Sequence, residues 1–344
     1  MSHSTVPRSG TEADETARTA VASDGVTGSR EKPSAGRPGL RLRFRRDRVL
    51  LLMTLPAVAL VLLFNYVPIL GNVVAFQDYD PYISDNGIVS MLHSPWVGLE
   101  NFRRIFEDSA FRGAVTNTLV LFFLQLVLYF PIPILLALLI NSVVRPRVRA
   151  LSQAILYLPH FFSWVLVIAV FQQLFGGAGI LSQLLRQHGY DGLDIMTDPE
   201  TFKYLITAQS VWKDAGWGII VFLAALSSVP TDLYEAAAMD GAGRRRRMWH
   251  VTLPALRPVI ALLLVLRVGD ALTVGFEQIL LQRDAVGPGA SEVLDTFVWW
   301  NGVRNQDFGY AAAAGLVKGV VSLGLVLAAN KVAHLMGEQG VYKK

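Results

Sequence analysis

Six long apolar runs, separated by shorter polar segments, constrain this chain more than any other feature. A membrane-spanning helix needs roughly 20 predominantly apolar residues, and each run is long enough. Hydrophobic residues make up 52% of the 344 residues and charged residues only 17%, whereas about a quarter of a soluble domain is charged. We therefore predict an all-α polytopic membrane bundle with spans near 49–70, 113–141, 151–174, 204–227, 258–281 and 309–336.

The positive charges predict how the spans are oriented. Arginine clusters precede the first run and fill the loops after the second and fourth runs, and lysines end the chain. Because cytoplasmic loops carry the excess of Lys and Arg, we expect both termini in the cytoplasm and external segments near 71–112, 175–203 and 282–308. Residues 1–44 are polar and lack apolar periodicity, so they are predicted to be a disordered basic cytoplasmic tail preceding a transmembrane domain at 45–344.

Several functional classes lack their required residues. The chain has no cysteine, which excludes disulfides and thiolate chemistry. It contains no Gly-x-x-x-x-Gly-Lys-Ser/Thr loop for phosphate, and its six histidines are not paired at metal-ligand spacing. The cations lie between the apolar runs, where membrane topology explains them better than nucleic acid does. We predict no catalytic residues, no metal site, no nucleic-acid partner and no enzymatic activity.

One polar, cation-rich segment interrupts the apolar pattern between the fourth and fifth runs. It extends over about 231–258 and begins with a slim helix containing Ala236, Ala237 and Ala238. Gly241 is expected to end that helix, and a second short helix can follow. Two short helices joined by a glycine bend suit docking onto another protein. An ordinary amphipathic loop resting on lipid headgroups is the alternative.

Charged and aromatic side chains within the runs mark a candidate substrate path. A charge inside a span is costly unless it faces the bundle interior or water, although mutual ion pairing of helices is an equally simple explanation. Aromatic rings stack on the apolar faces of sugar rings, and amides and carboxylates bind hydroxyl groups. The residues with this chemistry are Trp164, Trp212, Trp217, Asp270, Phe276, Glu277 and Gln278, and the other charges of the fourth and fifth runs are Lys213, Asp214 and Arg267.

The segment Glu235-Ala-Ala-Ala-Met-Asp-Gly-Ala-Gly, followed by Val251-Thr-Leu-Pro-Ala-Leu-Arg-Pro, resembles the EAA loop of permease subunits in bacterial binding-protein-dependent ABC importers. The basic run Arg244–Arg247 departs from the usual spacer, and Val251 replaces the common isoleucine. Five further segments look like the polysaccharide-type subgroup of sugar permeases: Phe64–Pro68, Ser94–Phe102, Tyr157–Trp164, Trp212–Trp217 and Gly275–Gln278.

The resemblance implies a type I importer permease fold in the bacterial cell membrane, with a cytoplasmic coupling loop at about 231–258. It implies an ATP-driven carbohydrate importer in which this chain forms half of the path. The implied partners are a second homologous permease, two cytoplasmic ATP-binding subunits, an extracellular solute-binding lipoprotein and an oligosaccharide. No cofactor is expected in this chain, since ATP and magnesium would bind the ATPase. The implied coupling residues are Glu235, Ala236, Ala237, Asp240 and Gly241.

An ion-coupled secondary transporter or channel is the alternative function. The charged residues of the fourth and fifth runs would then serve ion coupling. Such folds often contain two similar halves, and no internal repeat is obvious in this sequence. A docking loop would also have no purpose in a protein of that kind.

Overall fold

The computed structural model describes residues 48–335. Within this range every regular element is helical, apart from one isolated antiparallel bridge between Gln77 and Trp96. Six helical segments are long and apolar enough to cross a membrane, which agrees with the predicted all-α bundle. The tail predicted at 1–44 lies outside the described residues.

The chain divides into two units, one ending at Phe64 and the other beginning at Asn65. In the first unit, the side chains of residues 52–64 are exposed on a continuous helix.

The α-helices are α1 (Arg48–Val61), α2 (Val67–Leu70), α3 (Gly87–His93), α4 (Glu100–Glu107), α5 (Ser109–Leu124), α6 (Pro131–Asn141), α7 (Pro146–Tyr157), α8 (Trp164–Phe175), α9 (Ile180–Gln187), α10 (Phe202–Ser227), α11 (Thr231–Met239), α12 (Arg244–Arg247), α13 (Leu253–Gly269), α14 (Phe276–Val286), α15 (Pro288–Ser291), α16 (Leu294–Trp299) and α17 (Phe308–Leu335). Segments of π-helix occupy Leu62–Tyr66, Gln125–Tyr129, Met248–Thr252 and Trp300–Arg304, and 3₁₀ turns occupy Gly71–Phe76 and Leu158–Phe161.

The third span begins later than the sequence predicts. The apolar pattern suggested 151–174, but that run is divided by the 3₁₀ turn after α7, and the span extends over Trp164–Gln187. Pro159 removes a backbone donor at this turn. The Ser163 hydroxyl then accepts a hydrogen bond from the Leu166 amide at 3.3 Å and caps α8. A cap inside an apolar run therefore moves the start of the span.

The fifth span also differs from its predicted position of 258–281, because it extends over Arg244–Gly269. After Gly269 the chain turns, and α14 starts beyond Gly275, whose φ of 58° requires glycine. Asp270 and Glu277 consequently lie outside this span. The segment at 282–308, which was predicted to be an external loop, contains α15, α16 and the end of α14, and these helices bury Val286, Leu294 and Phe297.

Helix α10 is the central element of the second unit. Its side chains contribute to three hydrophobic clusters, through Phe202 and Ile206 in one, Leu205 in another and Ile219 with Phe222 in a third. Clusters of this kind bury apolar surface on several sides of one helix. The polar groups carried by α10 are therefore held in a rigid environment.

Gly216 allows α10 to approach α7 closely. A Cβ atom at this position would lie 1.9 Å from the Leu156 carbonyl oxygen, a backbone atom that cannot rotate away. We expect Gly216→Ala to lower the free energy of unfolding by about 2–3 kcal/mol, because overpacking forces the two helices apart. The measurement is the denaturation temperature of the purified protein.

The matched control for this substitution is Gly324→Ala. A Cβ at Gly324, on α17, meets no atom within 4 Å, so the same change in helix propensity occurs without the clash. Equal denaturation temperatures for the two variants would contradict the close approach.

Candidate functional site

The loop between the fourth and fifth spans forms a short helix ended by a glycine. Gly241 has φ 75°, in the left-handed region. Its amide donates to the Ala238 carbonyl at 3.0 Å, and the Ala242 amide donates to the Ala237 carbonyl at 2.9 Å. This pair of hydrogen bonds is a Schellman motif, which satisfies the last carbonyls of α11. Gly241 therefore sets the angle at which the chain leaves α11.

The predicted coupling residues lie together on this loop. Glu235, Ala236, Asp240 and Gly241 are exposed, and Ala237 is half-buried. The neighbouring Met239 and Leu233 are 89% and 51% exposed, so apolar side chains accompany the polar ones. An exposed surface of this mixed kind suits a partner protein.

The opposite side of α11 is attached to the bundle. The Tyr234 hydroxyl lies 3.2 Å from the Thr252 hydroxyl, which links α11 to the π segment before α13. A cavity of about 190 Å³ between the loop and the C-terminal end of α6 is lined by Asn141, Tyr234 and Arg247, among others. The loop therefore lies at the same end of the second unit as the basic segment that follows α6.

A second group of polar side chains lies where α10 passes the turn between α7 and α8. The His160 Nδ1 atom is 2.9 Å from the Asp214 carboxylate, and the His160 ring stacks on Trp217 with ring centroids 4.7 Å apart. The Lys213 ammonium donates to the His160 carbonyl at 2.7 Å and lies 5.5 Å from the Trp164 ring centroid. We call these five residues the α10 polar cluster.

A neighbouring group lines the same interior from α5, its π segment and α13. Arg267 donates to the Gln125 side chain and lies 5.8 Å from the Tyr129 ring centroid. The π segment Gln125–Tyr129 and α13 both pack against α10, the helix that carries Asp214. The Arg267 Nε atom is buried and has no hydrogen-bond partner among residues 48–335. The hydrogen-bonding capacity of Arg267 is therefore not fully used by the described residues.

The structure distributes the predicted path residues over different places. Trp164 and Trp217 belong to the α10 polar cluster, and Trp217 is 52% exposed. Trp212 is 39% exposed, and its ring lies 5.8 Å from that of Phe171. Phe276 lines a separate, mostly apolar cavity of about 670 Å³. Exposed Asp270 and Glu277 lie beyond the fifth span.

Gln278 has no free polar atom. It is fully buried, and its amide nitrogen donates to the Gln209 side chain at 2.8 Å and to the Ile206 carbonyl at 2.9 Å. Its oxygen accepts from the Ser210 hydroxyl at 3.1 Å. Gln282 completes this amide group by bonding Gln209 at 3.0 Å. Gln278 therefore holds α14 against α10, and it is not accessible to a passing ligand.

Sequence reasoning missed three residues that the structure brings to the interior: Gln125, Tyr129 and His160. The first two are uncharged and lie in an apolar run, where polar side chains attract little notice. His160 stood inside a segment that resembles sugar permeases, but a lone histidine gave no reason to pair it with Asp214, which is 54 residues away. The available signal was the presence of polar side chains inside apolar runs, because a polar side chain buried in a span needs a hydrogen-bond partner.

Six apolar helical segments long enough to cross a membrane, polar side-chain clusters within the second unit and an exposed helix–glycine–helix loop define a multi-pass membrane transport subunit. The chain belongs to the family described as the binding-protein-dependent transport system inner membrane component, which matches residues 129–330. It is therefore an inner-membrane permease of an ABC import system, as the EAA resemblance implied.

Individual relatives cover almost the whole chain. The chain is 42% identical to the polygalacturonan/rhamnogalacturonan transport system permease protein YteP of Bacillus subtilis, over 94% of this chain and 98% of that protein. It is 38% identical to protein LplB of Bacillus subtilis, over 87% and 92% of the two chains. A crystal structure of a bacterial ABC transporter involved in the import of the acidic polysaccharide alginate matches with a TM-score of 0.79 and 36% identity, covering 86% of this chain and 98% of that chain.

Membership of this family confirms two expectations from the sequence, one about enzymatic activity and one about cofactors. In ABC import systems of this kind the ATPase is a separate subunit, so the chain itself is a transport subunit and not an enzyme. Family members also carry no cofactor of their own. The alternative of an ion-coupled secondary transporter does not agree with this membership.

Proposed function

We propose that this chain forms half of the translocation path of an ATP-driven importer for oligosaccharides derived from polysaccharides. The observation that carries the proposal is the interior formed by the α10 polar cluster with Arg267 and Tyr129. It combines an exposed aromatic face on Trp217, a carboxylate on Asp214 and an unpartnered donor on Arg267. Rings for stacking and polar groups for hydroxyls are the chemistry of a carbohydrate site.

The relatives support the same class of substrate. One is named for polygalacturonan and rhamnogalacturonan transport, and another for arabinooligosaccharide transport. We infer that sugar rings stack on Trp164 and Trp217 and that Arg267 donates a hydrogen bond to a hydroxyl or a uronate carboxylate. The secondary candidates for contact with the sugar are Trp212, Asp270, Phe276 and Glu277. Gln278 is not proposed as a contact, because both polar atoms of its side chain are hydrogen-bonded within the chain.

The proposed assembly contains a second homologous permease, two ATP-binding subunits in the cytoplasm and an extracellular solute-binding lipoprotein. The solved alginate ABC transporter was crystallised in complex with a pentasaccharide-bound periplasmic protein, which supports a partner of that kind. The loop at 231–258 meets an ATPase subunit through Glu235, Ala236, Ala237, Asp240 and Gly241.

The proposed orientation has the coupling loop and both termini in the cytoplasm. Basic residues at 145–149, after α6, and at 244–247, where the fifth span begins, lie at one end of the second unit, which supports this orientation under the positive-inside rule. The tail at 1–44 and the transmembrane domain at 45–344 are proposed as separate regions.

Reconstitution tests the proposal. We expect proteoliposomes containing the four kinds of subunit to import a labelled pentasaccharide from a panel of galacturonan, rhamnogalacturonan and arabinan fragments. Uptake should require both internal ATP and the external binding protein, and should continue when ionophores collapse all ion gradients. Uptake by this chain alone, driven by an ion gradient, would contradict the proposal and favour a secondary transporter.

A further inference from the structure

A cavity of about 420 Å³ lies between the first turns of α5 and the α14–α16 segment. Its rim contains exposed Ser109, Gly113 and Pro288, while its floor contains buried Arg283 and Glu292. Ligand sites commonly have volumes of about 300–1,000 Å³, with apolar walls and a few converging polar groups. The cavity lies at the opposite end of the second span from the coupling loop, because α5 begins that span and α6 ends beside the loop.

The floor is a buried ion pair with one unused acceptor. Arg283 donates from Nε and Nη2 to the same oxygen of Glu292, at 2.7 and 2.6 Å. Each residue is 8% exposed. The other Glu292 oxygen, Oε1, is buried and has no hydrogen-bond partner among residues 48–335. An ionised acceptor left unsatisfied in a buried site is costly, and a ligand that donates a hydrogen bond removes that cost.

The aromatic wall fits the same kind of ligand. The Arg283 guanidinium carbon lies 3.7 Å from the centroid of the Trp300 ring, so the ring is held rigidly at the cavity wall. Phe297 and Pro288 add apolar surface. Because the Arg283 nitrogens are already engaged with Glu292 and Asp284, the site offers no free cation to an anionic group. The geometry favours a neutral, hydroxyl-bearing ring over a carboxylate.

We propose that this cavity is an outer sugar subsite, in which one hydroxylated ring of the oligosaccharide lies against the aromatic wall and donates a hydroxyl hydrogen bond to Glu292 Oε1. The inference rests on the proposed function, because the orientation there places this end of the bundle outside the cell. The subsite holds the leading ring of the chain before it reaches the α10 polar cluster.

The test uses a substitution that fills the cavity and leaves both residues of the Arg283–Glu292 ion pair unchanged. A Cβ at Gly113 meets no atom within 4 Å, so Gly113→Phe extends a ring from the rim across open space. Gly113→Ala is the matched control, since it makes the same helix-favouring change at the same place but leaves the cavity open. Substitution of Glu292 is avoided, because Arg283 would be left as an unpaired buried charge.

The measurement is equilibrium binding of the tritiated panel member that the wild-type importer takes up fastest, to the complete importer in nanodiscs. We expect Gly113→Phe to bind it about tenfold more weakly than Gly113→Ala, which corresponds to one lost hydrogen bond to a charged group. Methyl-esterifying any uronate groups should leave this ratio unchanged, because the cavity recognises hydroxyls.

Three outcomes overturn the subsite. Equal sugar affinity of the two variants would mean that the cavity does not hold the sugar. Loss of the second permease from the purified Gly113→Phe complex, or weaker docking of sugar-free binding protein, would mean that the cavity is a protein interface. Absence of uptake of every panel member by the wild type is a separate result, which rejects the proposed function itself.

Discussion

Glu235→Lys is expected to abolish ATP-driven uptake and to release the ATPase subunits, while the permease still inserts into the membrane. Glu235 is exposed on α11, where its carboxylate would meet the surface of the ATPase. Placing a like charge against a partner's complementary surface costs several kcal/mol, which corresponds to a loss of at least 100-fold in affinity. The measurement is the amount of ATPase that copurifies with the permease pair, together with sugar-stimulated ATP hydrolysis.

The control for this reversal is Glu200→Lys. Glu200 is also exposed and lies before α10, and its replacement by lysine changes the net charge by the same amount. Full copurification of the ATPase with the Glu235→Lys variant would contradict the coupling assignment.

A pair of glycine substitutions tests the bend of the same loop. Valine at Gly241 would have to adopt φ 75°, which is strained for a β-branched residue, whereas Gly243 has φ −67° and ψ 171°, in a region open to any residue. A Cβ meets no atom within 4 Å at either position. Gly241→Val should therefore uncouple ATP hydrolysis from uptake, and Gly243→Val should not. Equal coupling in the two variants would mean that the angle at Gly241 is unimportant.

Trp217→Ala is expected to reduce the rate of oligosaccharide uptake by 10-fold or more, with assembly and basal ATP hydrolysis unchanged. The Trp217 ring is 52% exposed and is held by stacking on His160, so it presents a fixed aromatic face, which the proposed function assigns to the sugar path. Loss of an aromatic platform costs about 1–3 kcal/mol for each stacked nucleic-acid base, and a loss of similar size for a sugar ring gives the expected factor. Initial uptake rates in proteoliposomes measure it.

Tyr204→Ala is the matched control, because Tyr204 is 60% exposed on the same helix but near its N-terminal end. Comparable loss of uptake from both substitutions would indicate a general effect on α10. An unchanged rate for Trp217→Ala would exclude this ring from the sugar path.

Local patterns in the sequence predict much of the coupling loop. The alanines, Gly241 and the flanking cations act within a few residues of one another, so their structural consequences can be derived from the chain alone. The structure contains the glycine-ended helix that this pattern predicts. The pattern alone left docking onto a protein and resting on lipid headgroups as alternatives, and only the resemblance to the EAA loop favours docking, since exposed residues carry no record of their partner.

The candidate path could be predicted only in part. The pattern suggested Trp164, Trp217 and the charges Lys213 and Asp214, because aromatic and charged side chains in apolar runs are conspicuous, and the structure brings these four residues together. It also suggested Gln278, whose hydrogen bonds are all made to α10 within the chain. No local rule distinguishes an amide that holds two helices together from one that faces a ligand.

The sequence by itself determined the class of protein, the number of spans and the glycine bend, because hydropathy and backbone preference act over short stretches of chain. Tertiary structure alone decided which polar groups meet. His160 reaches Asp214 across 54 residues, and the segment 282–308, predicted to be an external loop, buries Val286, Leu294 and Phe297 in the core. The physical reason is that burial and hydrogen bonding between distant residues depend on how whole helices pack, and no local window of sequence contains that information.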